Sequence, residues 1–351
     1  MNPEWQQFLQ QQGAVFEEPH TEQQSHIEIR QFSTPGADAS TDNQLTAITN
    51  TGVIAINGQD AKKFLQGQLT CNLDDIDQQK SSIGALCSYQ GKTICSFRIL
   101  LDQDTYYLLL HTSLVASVMV YLKKYIAFSK AEMIDASDQF VQIGCWGDQI
   151  DRVLQAELDI EPLAQEEVRS SALGLAIPVG QNPLRFICMG NLENSQKLWN
   201  KLAVNCEKVS SQSWQLMNIR SGTPEISIDT TEQFIPQMLN LDLIGGISFQ
   251  KGCYTGQEIV ARSHYLGKQK RRLFRLQTRS GLSPTPGTEI FADEKPQAAG
   301  IVVNAAPSSN ENEYEILAVM KIAAMDKALF LDDKNGAKLS VLPLPYAIPV
   351  G

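Results

Sequence analysis

An amphipathic stripe between residues 112 and 126 is the clearest periodic pattern in the chain. Its apolar residues recur at three- and four-residue steps, which predicts a helix that starts at Thr112 or Ser113; they are Val115, Val118, Leu122 and Ile126. Upstream, apolar and β-branched runs predict strands at residues 53–56, 83–89, 93–101 and 106–110. Asp60 predicts the start of a short helix that ends near Leu69. This part of the chain is therefore predicted to mix helices and strands.

The pattern changes twice along the rest of the chain. Residues 138–210 repeat a strand–helix–strand–helix order, with helices predicted near 148–158 and 192–202. From about Lys270 the signals are those of strands and turns, which predicts a small barrel or sandwich. The first residues are rich in Gln and Glu and weakly patterned, so they predict a short helix followed by a loose arm.

Composition restricts the class of protein. The chain has 351 residues, enough for two or three domains, and 43% of them are hydrophobic. It has no run of 18 apolar residues, and its first residues lack the basic start and apolar stretch of a secretory signal. The seven cysteines are irregularly spaced and form no CxxC pair, unlike a disulfide framework or a zinc site. We expect a cytoplasmic protein without a metal site.

The segment KGCYTGQEIVAR, residues 251–262, carries the most chemistry. Thr255 followed three residues later by Glu258 has the form of a capping box, which predicts a helix over about residues 256–266. Cys253 would then lie beside Lys251 and near the positive end of that helix, where a thiol loses its proton more easily. We predict a reactive Cys253 with Lys251 as its charge partner. A tight turn with a packed cysteine is the alternative.

This segment resembles the signature of the YgfZ-type folate-binding proteins, which are relatives of the glycine cleavage system T protein. The signature, Lys-Gly-Cys-aromatic-x-Gly-Gln-Glu with a basic residue four positions on, is matched at every position. The resemblance extends over about residues 45–349. It implies an α+β, T-protein-like fold, in which two ferredoxin-like α+β domains and a C-terminal β-barrel form a ring.

The resemblance also implies how the chain divides into domains. Residues 1–44 would be an N-terminal arm, and residues 45–135 and 213–268 would form a discontinuous folate-binding α+β domain. Residues 136–212 would form the second α+β domain, and residues 269–351 would form the C-terminal β-barrel domain.

Two tryptophan positions of the family bear on folate binding. Trp214 stands where family members have a tryptophan that stacks on folate, and a flat apolar ring suits a pterin face. An ordinary core tryptophan is the alternative. A second folate-contacting tryptophan of some relatives falls here on Thr51, so the affinity or pose of the pterin is expected to differ. Further candidate cofactor residues come from the signature; they are Tyr254, Gln257, Glu258 and Arg262.

One departure concerns catalysis. In the T protein an acidic residue, which follows the turn of the second strand pair, assists methylene transfer to tetrahydrofolate. Here Cys95 and Ser96 stand at that place, and neither is a competent general acid near neutral pH. The sequence therefore argues against aminomethyl transfer.

The resemblance implies a tetrahydrofolate-binding accessory protein that supports iron–sulfur cluster assembly or repair, and thereby tRNA modification. Its implied partners are tetrahydrofolate or a derivative and iron–sulfur enzymes, including tRNA-thiolating ones. Two other functions stay open: a folate-dependent one-carbon (aminomethyl) transferase that uses Cys253, and an RNA-binding module.

The RNA-binding alternative depends on charge. The formal net charge of −10 argues against general nucleic-acid affinity, so direct binding is not expected. However, residues 251–279 carry eight Lys or Arg and one acid, a local +7 that leaves −17 for the remainder. The basic face at residues 268–279 could hold an anion, or it could be a solvated strand edge.

Overall fold

The structure is a computed structural model, in which two compact units share the chain. It describes residues 1–17, 27–33, 42–161, 167–181, 183–265, 267, 269–293, 297–308 and 310–349. Unit 1 comprises residues 1–61, 74–81 and 99–214, and unit 2 comprises residues 62–73, 82–98 and 215–351.

The described helices are α1 Pro3–Gln11, α2 Ala61–Gln66, α3 Val115–Ile126, α4 Ile150–Leu158, α5 Leu192–Leu202, α6 Ser211–Arg220 and α7 Gln257–Tyr265. The described strands up to residue 135 are β1 Ala14–Glu17, β2 Glu28–Phe32, β3 Gln44–Ala47, β4 Thr51–Asn57, β5 Ser82–Cys87, β6 Thr93–Asp102, β7 Thr105–His111 and β8 Glu132–Asp135. Those after it are β9 Val141–Trp146, β10 Arg169–Ser171, β11 Gly174–Gln181, β12 Leu184–Gly190, β13 Glu207–Lys208, β14 Arg271–Arg279, β15 Glu289–Ala292, β16 Gly300–Pro307, β17 Glu313–Lys321, β18 Leu329–Leu331 and β19 Lys338–Leu342.

Unit 1 contains a six-stranded sheet in the order β10-β11-β12-β9-β3-β13. β9 pairs antiparallel with β12 on one side and with β3 on the other, so it lies in the interior of the sheet. Because side chains alternate along a strand, Val141, Ile143 and Cys145 share one face of β9 and join the main core of this unit. The opposite face of β9 therefore carries residues 142, 144 and 146.

The N-terminal residues belong to this core. Helix α1 buries Trp5 and Leu9, and the Trp5 ring meets the Trp199 ring edge-on at 5.7 Å. The Asn2 side chain caps the helix by accepting from the N–H groups of Glu4 and Trp5. The predicted short N-terminal helix is therefore confirmed as α1. The prediction of a loose arm after it is wrong for β1 and β2, which pair with each other. The turn-like stretch at residues 34–40 lies outside the described residues.

A second sheet has the strand order β5-β6-β7-β4-β8. β6 is divided between the units, since its residues up to Arg98 belong to unit 2 and those from Ile99 to unit 1. In unit 1, β4 pairs antiparallel with β7 and with β8. The amphipathic stripe forms α3, preceded by a 3-10 turn at Thr112–Leu114, and it buries Val115, Val118 and Leu122 as predicted.

Unit 2 contains a closed barrel in the order β14-β17-β16-β15-β18-β19. Closure occurs because β14 pairs antiparallel with β17 and with β19. The strand pattern from Lys270 had left a barrel and a sandwich open, and the barrel is the outcome. β14 has a partner on both sides, so the interpretation of residues 268–279 as a strand edge is wrong.

The mixed α+β class with a C-terminal barrel is confirmed. In the described parts of the chain, no helix is long and apolar enough to cross a membrane. The predicted domain boundaries stay a prediction, although β3 at the predicted start of the first domain pairs with β9 in the six-stranded sheet.

Candidate functional site

The segment Lys251 to Gly256, which we call the cysteine loop, is held by the loop at residues 67–71. The Lys251 ammonium donates to the carbonyl oxygens of Leu69 at 2.7 Å and Cys71 at 2.8 Å. It also lies 5.2 Å from the centre of the Tyr254 ring. These contacts make Lys251 an anchor of the cysteine loop. Its role as charge partner of Cys253 stays a prediction.

The capping box is corrected by the structure. The Thr255 hydroxyl donates to the side-chain oxygen of Gln68 at 3.3 Å, and its backbone N–H donates to Gly67. Helix α7 begins at Gln257, behind a glycine at position 256 with a φ of 83°. Thr255 therefore links two loops, whereas the residue directly before the helix is Gly256. The predicted end near residue 266 lies outside the described residues, and the described helix ends at Tyr265.

Two glycines bring the cysteine loop against the turn between β5 and β6. A side-chain carbon at Gly256 would lie 2.5 Å from the carbonyl oxygen of Ser88. At Gly91, whose φ is 69°, it would lie 2.7 Å from Ile259. Such separations are shorter than any ordinary carbon contact, and both backbones are left-handed, so only glycine fits these positions.

Cys253 and Tyr254 face opposite environments. Cys253 is exposed, whereas the other six cysteines are buried. Tyr254 is buried, and its burial, together with the neighbouring Cys87, raises the pKa of its phenol well above the usual range. A side-chain carbon at Gly252 would meet nothing within 4 Å. The Cys253 thiol thus points to the solvent, while Lys251 and the buried Tyr254 hold the backbone of the cysteine loop in place.

The remaining signature residues lie on α7. Glu258 and Arg262 are exposed, and Gln257 is half-buried. All three belong to unit 2 with the cysteine loop. Their contact with a cofactor stays a prediction.

Cys95 and Ser96 have surroundings that keep them from acting as acids. Burial raises the pKa of the Cys95 thiol to about 12, so it stays protonated at neutral pH. The Ser96 hydroxyl donates to the carbonyl of Pro224 at 3.1 Å and accepts from the N–H of Ile226 at 3.0 Å. Cys95 therefore packs inside unit 2, and Ser96 holds the backbone at Pro224 and Ile226.

Trp214 is enclosed by protein groups of unit 1. Its ring is 3% exposed and lies on Gly144 of β9, where an added side-chain carbon would be 2.6 Å from the ring. The guanidinium carbon of Arg185 is 5.5 Å from the ring centre, and the Trp146 ring is 5.7 Å away. These surroundings fit a core tryptophan, and folate stacking by Trp214 stays a prediction.

Thr51 and Trp214 both lie against the same face of β9. The side-chain nitrogen of Gln142 donates to the Thr51 carbonyl at 3.2 Å. Gln142 precedes Gly144 by two residues, so the two share a face of the strand. The sequence analysis missed Gln142, Gly144 and Arg185. Residues 141, 143 and 145 alternate as apolar positions of a strand. This alternation was the signal that could have placed Gln142 and Gly144 together on the other face of β9.

Three of the six basic residues in the face at 268–279 form ion pairs with carboxylates. Arg272 forms two hydrogen bonds with Asp242, at 2.6 and 3.0 Å, in a buried ion pair. Arg275 pairs with Glu315 and Arg279 pairs with Glu313. Lys268 lies outside the described residues. The charge count along the sequence therefore overstates what this face offers to an RNA phosphate, so the RNA-binding alternative loses its main support.

Comparisons with known proteins agree with this architecture. Residues 37–174 match the model of the family described as the GCVT N-terminal domain. The whole chain is similar to the glycine cleavage system aminomethyltransferase T from Bartonella henselae, with a TM-score of 0.76, 15% identity, and coverage of 97% of this chain and 96% of the other. At this identity the likeness establishes the fold, so the chain has a T-protein-like fold.

Two further structures are much less similar. The heterotetrameric sarcosine oxidase from Corynebacterium sp. U-96 has a TM-score of 0.38 and 9% identity, over 48% of this chain and 85% of the other. The aspartate kinase from Synechocystis has a TM-score of 0.24 and 10% identity, over 87% of this chain and 47% of the other. Neither carries an argument about this protein.

Within the described residues, no group of three or more His, Cys, Asp or Glu side chains could hold a metal ion.

Proposed function

We propose that the protein binds tetrahydrofolate or a derivative as an accessory protein and does not transfer an aminomethyl group. The observation that carries the proposal is a T-protein-like fold in which Cys95 and Ser96 occupy the place implied for the catalytic acid. Because its raised pKa makes Cys95 a very weak acid and Ser96 is hydrogen-bonded within the protein, proton transfer to a folate nitrogen lacks an acid of suitable pKa.

The cysteine loop suits a step other than methylene transfer. As a nucleophile, its exposed thiol can attack the outer sulfur of a persulfide on another protein and release that protein's thiol; as a ligand, it can hold iron. The full match to the YgfZ-type signature supports a role in iron–sulfur cluster assembly or repair, and thereby in tRNA modification. No disulfide joins the seven cysteines, all of which the structure describes, and this fits the reducing cytoplasm.

The first test is calorimetric titration of tetrahydrofolate and 5-formyltetrahydrofolate into four proteins: the wild type, Cys253→Ala, Trp214→Phe and Trp5→Phe. Trp5 is a matched control because it is also 3% exposed in unit 1 but packs in the core with Trp199. We expect the wild type, Cys253→Ala and Trp5→Phe to bind equally and Trp214→Phe to bind more weakly. Absence of binding by the wild type would overturn the proposal.

Two assays test the steps after binding. The accessory role predicts that purified protein with tetrahydrofolate does not consume an aminomethyl or formaldehyde donor, and turnover that is lost in Cys253→Ala would establish a transferase. The cluster role predicts that wild type, but not Cys253→Ala, restores iron–sulfur enzyme activity in extracts of cells that lack the protein. Equal restoration by both would remove Cys253 from the mechanism.

A further inference from the structure

Gln142 is a polar side chain in the interior of unit 1. It lies on β9, between two strand neighbours, and is 4% exposed. A buried carboxamide is costly unless its groups are hydrogen-bonded. Its presence in the middle of a sheet therefore requires an explanation.

The orientation of this carboxamide is fixed by Thr51. The Thr51 carbonyl can only accept a hydrogen bond, so the side-chain nitrogen of Gln142 must face it, at 3.2 Å. Rotating the amide would bring two oxygens together. The Gln142 side-chain oxygen is then left buried and without a partner among the described residues. The unsatisfied atom is thus an acceptor.

A second unsatisfied group lies in the segment 48–51, which Gln142 contacts through hydrogen bonds with Ile48 and Thr51. The Thr49 hydroxyl is also buried, in a residue 6% exposed, and has no partner among the described residues. Thr49 stands between Ile48, whose N–H donates to the Gln142 carbonyl, and Thr51. Each such group is expected to lower stability. Two unsatisfied groups in adjoining segments indicate a binding site, in which a ligand supplies the missing hydrogen-bond partners.

The neighbouring side chains indicate what could complete it. The same face of β9 carries Gly144, on which the Trp214 ring lies, and Arg185 is against that ring. Aromatic and guanidinium planes favour flat rings. An acceptor and a hydroxyl beside them suit a flat heteroaromatic molecule with N–H donors along one edge.

We propose that Gln142 is a ligand-binding residue whose side-chain oxygen accepts a hydrogen bond from an N–H on the edge of a flat heteroaromatic ligand, with the Thr49 hydroxyl as a second contact. This inference rests on the proposed function, in which the ligand is tetrahydrofolate. The edge that binds is then that of the pterin, which carries a ring N–H beside an amino group.

The test compares Gln142→Met, Thr49→Val and Thr46→Val with the wild type. Thr46 is the matched control, because it is buried in the same unit but its hydroxyl already donates to the Val209 carbonyl at 2.9 Å. Calorimetry with tetrahydrofolate, and with tetrahydropterin that lacks the aminobenzoylglutamate tail, gives the affinity. Urea unfolding without ligand gives the stability.

We expect Thr49→Val and Gln142→Met each to lower the affinity for both ligands at least tenfold. Thr49→Val should unfold at the same or a higher urea concentration, because it removes an unsatisfied group. Thr46→Val should lose stability and keep its affinity. If the wild type binds folate and both site variants bind as well as it does, the inference fails and the proposed function stands. If the wild type does not bind, the proposed function itself fails.

Discussion

Cys253 shows how a single residue can be set apart by its backbone. Its neighbour Tyr254 is buried, and Lys251 is tied to the carbonyl groups of Leu69 and Cys71, so the loop cannot turn the thiol inward without breaking these contacts. The sequence predicted the importance of this cysteine from its position before a helix. It could not predict that Lys251 donates to a loop about 180 residues away in the chain.

The first prediction follows from that exposure. Iodoacetamide at mildly alkaline pH should label the native protein once per chain, at Cys253, because the other six cysteines are buried. Peptide mass analysis should place the label on Cys253, and Cys253→Ser should take up none. Labelling of the buried cysteines should appear only in denaturant. Rapid native labelling of Cys253→Ser would contradict the described burial.

Helices and strands were predicted best where their signal is local. Helix α5 has the predicted bounds, 192–202, because an apolar stripe and an N-terminal Asn cap lie within one stretch of chain. The start of α7 was predicted to within one residue, but its cap was misassigned. Thr255 and Glu258 have the spacing of a capping box, but the Thr255 hydroxyl bonds instead to Gln68, 187 residues away. A tertiary contact thus replaced the local one, and no short-range pattern reveals that.

The second prediction concerns this start of α7. Gly256→Ala should destabilise unit 2 by about 1–3 kcal/mol, because alanine resists a φ of 83° and its side-chain carbon would lie 2.5 Å from the Ser88 carbonyl oxygen. Gly252→Ala is the matched control, since a side-chain carbon there meets nothing within 4 Å. Urea unfolding of both variants is the measurement. An equal loss in the two would mean that the close approach to Ser88 is not what matters.

At the scale of the whole molecule, sequence counts mislead most about charge. Residues 251–279 carry a net charge of +7 in the sequence, but three of their arginines pair with Asp242, Glu313 and Glu315, which lie outside this stretch. A pattern along the chain cannot show such partners. The candidate site was likewise only partly predictable: Thr51 and Trp214 came from a resemblance, whereas the proposed Gln142 required the strand pairing that places them on one face.

The third prediction is a loss of stability in alkali. Burial raises the pKa of Cys95 and of Cys206 from about 9 to about 12, so the folded protein holds protons that the unfolded chain releases. The free energy of unfolding should be level below about pH 9 and fall as the pH rises toward 12, by about 1.4 kcal/mol per pH unit for each thiol.

Urea midpoints between pH 7 and 11 measure this effect. Cys95→Ala should make the alkaline fall less steep by about 1.4 kcal/mol per pH unit and leave the share of Cys206, whereas Cys253→Ala, which removes the exposed cysteine, should not change it. An unchanged slope in Cys95→Ala would assign the fall to other groups.

The closed barrel also has a consequence during translation, because β14 is synthesised well before its partner strand β19. β14 needs β19 to complete its pairing, and β19 begins at Lys338, long after β14 has ended at Arg279. At about 5–20 residues per second, β14 waits several seconds during translation with one row of backbone groups unpaired. Such an edge invites pairing with other chains. Nascent chains stalled before Lys338 should therefore be cut by protease within β14 and bind chaperones, and chains stalled after full emergence of β19 should do neither.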